Sequence, residues 1–321
     1  MSEQYTYAVA RIRALEVSLF SNSTIDQLIA CQNYEQCIQF LEEKGWGDTE
    51  TSGNAEAMLT REEEKIWEVV KELSIGMEHF DVLTYPKLFH NLKAAIKEVC
   101  TEEKNRHIFY EDVPIPGSAM MEIIKEKDFG KLPANMQHAA EEAYESLLHT
   151  RDGQLCDVII DKAALEAIYA AGKEAKADII RDYAESTVGV ADIKIAVRSQ
   201  KTAKSIDFMK RAMAECDSIN VDQLSRQPWR EWTRSANTCW NGLCTRRGGV
   251  SRLAVSIRAL VRYRIIQTIS PQKYNAFTIG PVIAYVIARQ NEIKTVRIIL
   301  SGKLNDLPDD SIRERVREMY V

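Results

Sequence analysis

The chain has 321 residues, 45% hydrophobic and 28% charged, with only 14 Gly and 8 Pro and a formal net charge of −5. Those proportions exclude a collagen-like, low-complexity or intrinsically disordered protein, and the length allows two or three domain-sized units with a large core. No apolar stretch approaches the roughly 18–20 residues of a membrane span, and the N-terminus lacks a secretory apolar core, so a soluble intracellular protein is expected, with membrane association only through a partner.

The predicted elements are helical throughout. Residues 7–20 place Val9, Ile12, Leu15, Leu19 and Phe20 at spacings of three and four. Ser21-Asn22-Ser23-Thr24 breaks that run, and Thr24 reads as the N-cap of a helix over 25–30. Residues 62–73 continue with Ile66, Val69, Val70 and Leu73, and helix-like patterns follow at 88–100, 118–127, 135–149, 161–185, 190–200, 203–216, 250–266, 279–301 and 309–320. The apolar stretch 281–288 reads as a buried element, with Pro281 at a helix start where its missing N–H costs nothing. Alternating β-branched segments are almost absent, so the expected fold class is all-α.

An internal repeat organises these helices. His90-Asn91-Leu92-Lys93-Ala94-Ala95-Ile96, Ala191-Asp192-Ile193-Lys194-Ile195-Ala196-Val197 and Asn291-Glu292-Ile293-Lys294-Thr295-Val296-Arg297-Ile298 share an apolar-Lys-x-x-apolar core. Their lysines stand 101 and 100 residues apart. Three helical units of about a hundred residues, over 1–110, 111–215 and 216–321, are expected around a pseudo-threefold axis or in an arc.

Catalytic signatures are missing. There is no phosphate-binding G-x-x-x-x-G-K-[ST], no G-x-G-x-x-G, no G-x-S-x-G, and the five histidines form no H-x-H or H-E-x-x-H. Of the seven cysteines, only Cys31/Cys37 and Cys239/Cys244 are close, without zinc-site spacing, and all read as ordinary reduced thiols. Acidic runs such as Glu62-Glu63-Glu64 and Glu141-Glu142 read as solvated helix faces. No catalytic residue, cofactor or metal is expected; a helical enzyme with a dispersed site is the rival reading. On the helix after Pro281, Arg289, Glu292 and Arg297 fall within or beside the apolar stripe, where burial is costly unless they pair. They read as a buried polar brace between helices or, more sharply, as a partner-facing surface.

The run Ala284-Tyr285 … Ala288-Arg289-Gln290-Asn291-Glu292-Ile293 … Val296-Arg297-Ile298-Ile299-Leu300 … Gly302-Lys303-Leu304, then Leu307-Pro308 … Ile312-Arg313-Glu314-Arg315, resembles the C-terminal signature of the C subunit of prokaryotic V/A-type ATPases, the counterpart of the eukaryotic V-ATPase d subunit. His90-Asn91-Leu92-Lys93 is similar to that family's HNLK element. Asp192-Ile193-Lys194 with Arg198 is similar to its second element, although Val190-Ala191 and Asp192 replace part of the pattern. The opening Tyr5-x-Tyr7 … Arg11-x-Arg13-Ala14 fits as well.

The resemblance implies an all-α funnel of three similar domains that sits on the membrane rotor ring and receives the foot of the central stalk. It implies no catalysis, transmission of torque, and a peripheral place at the membrane within the complex. Its partners would be the central-stalk subunits and the rotor ring, not nucleic acid. His90, Asn91, Lys93, Lys194, Arg198, Arg289, Asn291, Glu292 and Arg297 become candidates for partner contact or structural polar roles.

One segment departs from that pattern. Residues 1–220 hold 25 basic and 39 acidic residues, whereas 221–321 hold 17 and 8. No Asp or Glu occurs from Trp232 through Asn291, and nine Arg fall between Arg226 and Arg264. Translation of 225–264 in a shifted reading frame would account for this. The alternative is a basic amphipathic helix with Val250, Leu253, Ala254, Ile257, Val261 and Ile265 on its apolar face, suited to anionic lipid or nucleic acid. A helical scaffold of some other complex is the remaining alternative.

Overall fold

In a computed structural model, residues 5–101, 109–226 and 264–321 are described. The shifted-frame segment, the basic helix, Cys239 and Cys244 lie outside the described residues, apart from the segment's ends. The described residues are helical with no strand, only an isolated bridge between Cys216 and Ile219. The all-α expectation is met.

By contacts the chain forms two compact units. The first comprises Met1–Met77 and Arg258–Val321. It contains α1 (Thr6–Glu16), α2 (Asn22–Ile29), α3 (Tyr34–Glu43) and α4 (Ala55–Glu72) from the early chain. The late chain adds helical residues 264–269 and a 3-10 turn, Ser270–Tyr274. A long helix, Gly280–Leu304, and a short one, Asp309–Arg313, complete it; they are numbered α12 and α13 here.

The second unit, Glu78–Ile257, holds α5 (Asp81–Thr101), α6 (Gly117–Glu126), α7 (Ala134–Thr150), α8 (Gly153–Glu174), α9 (Asp178–Lys201), α10 (Ile206–Ala212) and α11 (Val221–Arg226). The expected division into three rests on internal likeness rather than contact.

Side-chain caps start many of these helices. Ser21 accepts from the Thr24 N–H, Asn33 from Gln36, Asn54 from Ala57, Asp152 from Gln154 and Leu155, and Ser205 from Phe208. Each satisfies a donor that the first helical turn leaves unpaired. The expected cap Thr24 is thus the residue that is capped, because Ser21 keeps extended backbone while Asn22 has already entered the helix.

α12 forms the axis of the first unit, and α1, α2, α3, α4, α13 and the 3-10 turn all pack on it. Every residue from Gly280 to Ile293 is buried. A helix enclosed on all sides is apolar on all sides except where its polar groups are paired, which explains the run that sequence flagged at 281–288. No helix among the described residues is long and apolar enough to cross a membrane.

In the second unit α8 is central, against α5, α7, α9 and α10. Leu92, Ile96, Met120, Ile124, Met136, Ala140 and Ile160 are fully buried in one cluster, each aliphatic chain of Leu or Ile size contributing about 1.5–3 kcal/mol. Ala196, Met209 and Met213 form a smaller cluster with Val221 and Leu224 packed against it.

Two expected boundaries are corrected. The helix anticipated over 161–185 is two helices, with Ala175 and Ala177 in extended backbone between α8 and α9, and the pattern at 190–200 belongs to α9. The antiparallel pair crosses where Gly172 meets Ala184, and a Cβ at 172 would overlap that of Ala184. Ile168 and Gly172 on α8 and Ile180 and Ala184 on α9 are buried at spacings that continue one another, so the helical periodicity runs through the bend. The element anticipated over 309–320 is helical only through Arg313, after which Met319 and Tyr320 are buried as irregular chain.

Candidate functional site

The most concentrated polar chemistry in the first unit lies inside it. Glu62 on α4 and Arg289 and Glu292 on α12 are all at least nine-tenths buried. Arg289 extends one guanidinium nitrogen to Glu292 Oε1 and the other to Glu62 Oε2, and its Cζ sits 4.6 Å from the centroid of the Trp46 ring. Glu62 Oε1 also accepts the Gly47 N–H at 2.8 Å and Lys65 Nζ at 2.6 Å. Glu292 Oε2 accepts the Phe20 N–H at 2.8 Å. Burial pushes the Glu292 carboxyl up to about 7, against the opposing pull of Arg289 and the Phe20 N–H. Two carboxylates, one guanidinium and one ammonium thus balance in formal charge, and the arrangement stitches α4, α12 and the turns at Phe20 and Gly47 together.

Glu62 corrects the reading of Glu62-Glu63-Glu64 as a solvated face. Glu62 occupies the α4 stripe of Met58, Leu59, Ile66 and Val70, all buried. Glu63 accepts from Gln290 Nε2 at 3.0 Å, and only Glu64 remains exposed. The signal was present in the spacing: Glu62 lies four before Ile66 and three after Leu59. Arg297 does not join Glu292; it is exposed and pairs with Glu56.

The repeat residues share a structural habit. Two positions before each repeat lysine stands a buried polar residue, namely Asn91, Asp192 and Glu292. Two positions after each lysine stands a fully buried apolar residue, Ala95, Ala196 or Val296. Each polar residue clasps backbone of a distant segment. Asn91 donates to the Tyr110 carbonyl at 2.7 Å and the Ile115 carbonyl at 3.3 Å, and accepts the Tyr110 N–H at 2.8 Å. Asp192 Oδ1 accepts the Ala214 N–H at 3.1 Å. On α12 the task is divided: Glu292 takes Phe20, while Asn291 donates to the Glu318 carbonyl at 2.9 Å and accepts from Arg317 at 3.3 Å.

Asp192 differs from the other two in leaving Oδ2 without a hydrogen-bond partner. Burial pushes its carboxyl up to about 7, opposed by the Ala214 N–H and by Lys162, and reinforced by Glu185.

The remaining candidates lie nearer the surface. Lys93 pairs with Asp161 at 2.6 Å, bridging α5 and α8. His90 meets the Tyr110 ring edge-on at 5.2 Å. Lys194 and Arg198 are exposed on α9. The second unit also has an open groove of about 240 Å³ lined by Tyr169, Lys173, Arg181, Asp182, Glu185, Asp217 and Ser218. Its groups largely engage one another: Tyr169 donates to Asp217 at 2.7 Å, Lys173 pairs with Asp217, and Glu185 accepts the Ser218 N–H at 2.7 Å. Among the described residues no His, Cys, Asp or Glu cluster is arranged to hold a metal ion.

These features define an all-helical protein whose polar investment goes into internal bracing. The sequence pattern of the ATP synthase (C/AC39) subunit family matches residues 8–315, and the chain belongs to that family. It is similar to the V-type sodium ATPase C subunit of Enterococcus hirae, 22% identical over 96% of this chain and 97% of the relative. It is also similar to the A-type ATP synthase C subunit of Methanosarcina acetivorans, 21% identical over 98% and 93%, and to that of Methanocaldococcus jannaschii, 19% identical over 96% and 85%.

Proposed function

We propose that this chain is the non-catalytic central-stalk subunit of a V/A-type rotary ATPase, linking the stalk foot to the membrane rotor ring and passing torque between them. In this reading it is peripheral at the membrane through the complex. The relatives' names carry both sodium ATPase and ATP synthase, so the proposal extends to coupling and not to ion or direction.

The observation that carries the reading is the clasp repeated on α5, α9 and α12. Each repeat helix buries a polar group that ties down backbone from elsewhere, by Asn91, Asp192 and the Asn291–Glu292 pair. A part that transmits twist must resist shear between its helices, and hydrogen bonds from buried side chains to backbone resist sliding in a way that apolar contact alone does not. The same recurrence supports three similar helical units over 1–110, 111–215 and 216–321. Exposed Lys194, Arg198 and Arg297 are the candidates for meeting acidic groups on a partner.

The test is affinity capture of the tagged chain from native membranes, together with assay of a strain lacking it. Recovery of both a coiled-coil stalk subunit and the ring proteolipid is expected, with ATP hydrolysis by the head retained and ion pumping lost in the deletion. Capture of neither partner would refute the proposal.

A further inference from the structure

The repeat holds, within this chain, a precedent for what covers its basic face. On α5 the repeat lysine Lys93 is followed one turn later by Lys97, and α8 lies across both. Lys93 Nζ stands 2.6 Å from Asp161 and Lys97 Nζ 2.6 Å from Asp157. The earlier cation meets the later carboxylate, so the helices run antiparallel, with cations four apart facing carboxylates four apart. Four is the spacing of neighbours on one helix face. α12 is met in the same sense by α4, where Glu56 pairs with Arg297 and Glu63 accepts from Gln290 Nε2 at 3.0 Å.

On α9 the residues 101 positions after Lys93 and Lys97 are Lys194 and Arg198, so both positive charges recur in register. Lys201 continues the same face, and all three are exposed. Asp192, Ala196 and Ser199 bury the opposite side of the helix. The setting is otherwise acidic: residues 1–220 hold 25 basic and 39 acidic residues, so this face reverses the local charge. The stretch 227–263 holds a single acidic residue, Glu231, and cannot supply a matching pair.

We propose that the α9 face of Lys194, Arg198 and Lys201 docks an acidic helix of the stalk foot, antiparallel, as α5 docks α8. The docked helix carries carboxylates four residues apart against Lys194 and Arg198. For the partner's identity this inference rests on the coupling role; its chemistry comes from the repeat. Complementary charge at such a face sets orientation and register, which a joint that passes twist requires.

The test captures three tagged forms of the full chain from native membranes: wild type, the double variant Lys194→Glu, Arg198→Glu, and a control with the same charge change elsewhere, Lys125→Glu, Lys176→Glu. The double variant should retain the ring proteolipid while recovery of the coiled-coil stalk subunit falls about tenfold or more, and the control should match wild type. Carbodiimide crosslinking of the wild-type complex should join Lys194 and Lys201 to carboxylates on one helix of that stalk subunit, the Lys194 link lying later in its sequence. Undiminished stalk recovery by the double variant, or crosslinks in the reverse order or from neither lysine, overturns the inference and leaves the coupling role standing. Wild type recovering neither stalk nor ring overturns both. Circular dichroism checks that the double variant is folded, and the wild-type crosslinks decide the matter if it is not.

Discussion

Arg289 and Glu62 stand 227 positions apart in the chain and form a buried ion pair on which the first unit closes. Glu292 completes the arrangement from the next turn of the same helix.

Arg289→Met keeps most of the side-chain volume but leaves two buried carboxylates facing each other across a lost cation. Removing one partner of a buried pair costs about 3–5 kcal/mol. Urea denaturation at neutral pH should show a loss of that order. Glu64→Gln, on the exposed side of α4, should change stability by only about 0.5 kcal/mol or less.

Asp192 makes the second unit sensitive to pH. Its carboxyl titrates near 7 when folded, against the ordinary aspartate value of 3.8. The folded state therefore holds a proton that the unfolded state releases, so the contribution of Asp192 to stability is greatest below about pH 4 and is lost as pH rises to about 7. The raised Glu292 carboxyl acts in the same direction. Asp192→Asn retains an acceptor for the Ala214 N–H and carries no charge. It should flatten the slope and add on the order of 2 kcal/mol at pH 8, read from urea midpoints between pH 5 and pH 8.

Asn91 holds the segment around Tyr110 through three hydrogen bonds. Asn91→Ala should cost about 2–3 kcal/mol, since three backbone groups lose their partner. Limited chymotrypsin digestion should cut faster after Tyr110. Asn91→Asp should be nearly as damaging, because a carboxylate accepts from the Tyr110 N–H yet cannot donate to the Tyr110 and Ile115 carbonyls.

Gly172→Val introduces a side chain where α8 and α9 meet at Ala184. Although glycine is a weak helix former, the overlap should dominate, with a loss of about 1–3 kcal/mol. The double variant Gly172→Val, Ala184→Gly should recover part of it in thermal unfolding.

How far the sequence disclosed this molecule differs from feature to feature. The helical class was legible because apolar residues recur at helical spacing along most of the chain. A brace on Glu292 was legible too, since charges inside an apolar stripe must pair, although spacing left Arg289 and Arg297 equally open as its partner. Glu62 was misread because it sits in a run of three acidic residues, where composition outweighs position. The bend at 175–177 was hidden because no Gly or Pro lies within it; Gly172, three residues earlier, meets Ala184 across the pair, and that is a tertiary event. Ser21 and Thr24 are both good caps, and only backbone conformation distinguishes them. The clasp shared by Asn91, Asp192 and Glu292 was half visible: the repeat lysines drew attention, while the buried residue two places earlier carries the structural role.

The first unit joins the early chain to the late chain, and this sets an order of events on the ribosome. At about 5–20 residues per second, roughly 10–45 s separate the emergence of Glu62 from that of Arg289. During that interval the residues between can already close on themselves, while α1 to α4 wait with their apolar stripes uncovered. A nascent chain stalled before α12 would present those stripes to chaperones and proteases, which makes arrival of the last long helix the point at which quality control lets the molecule go.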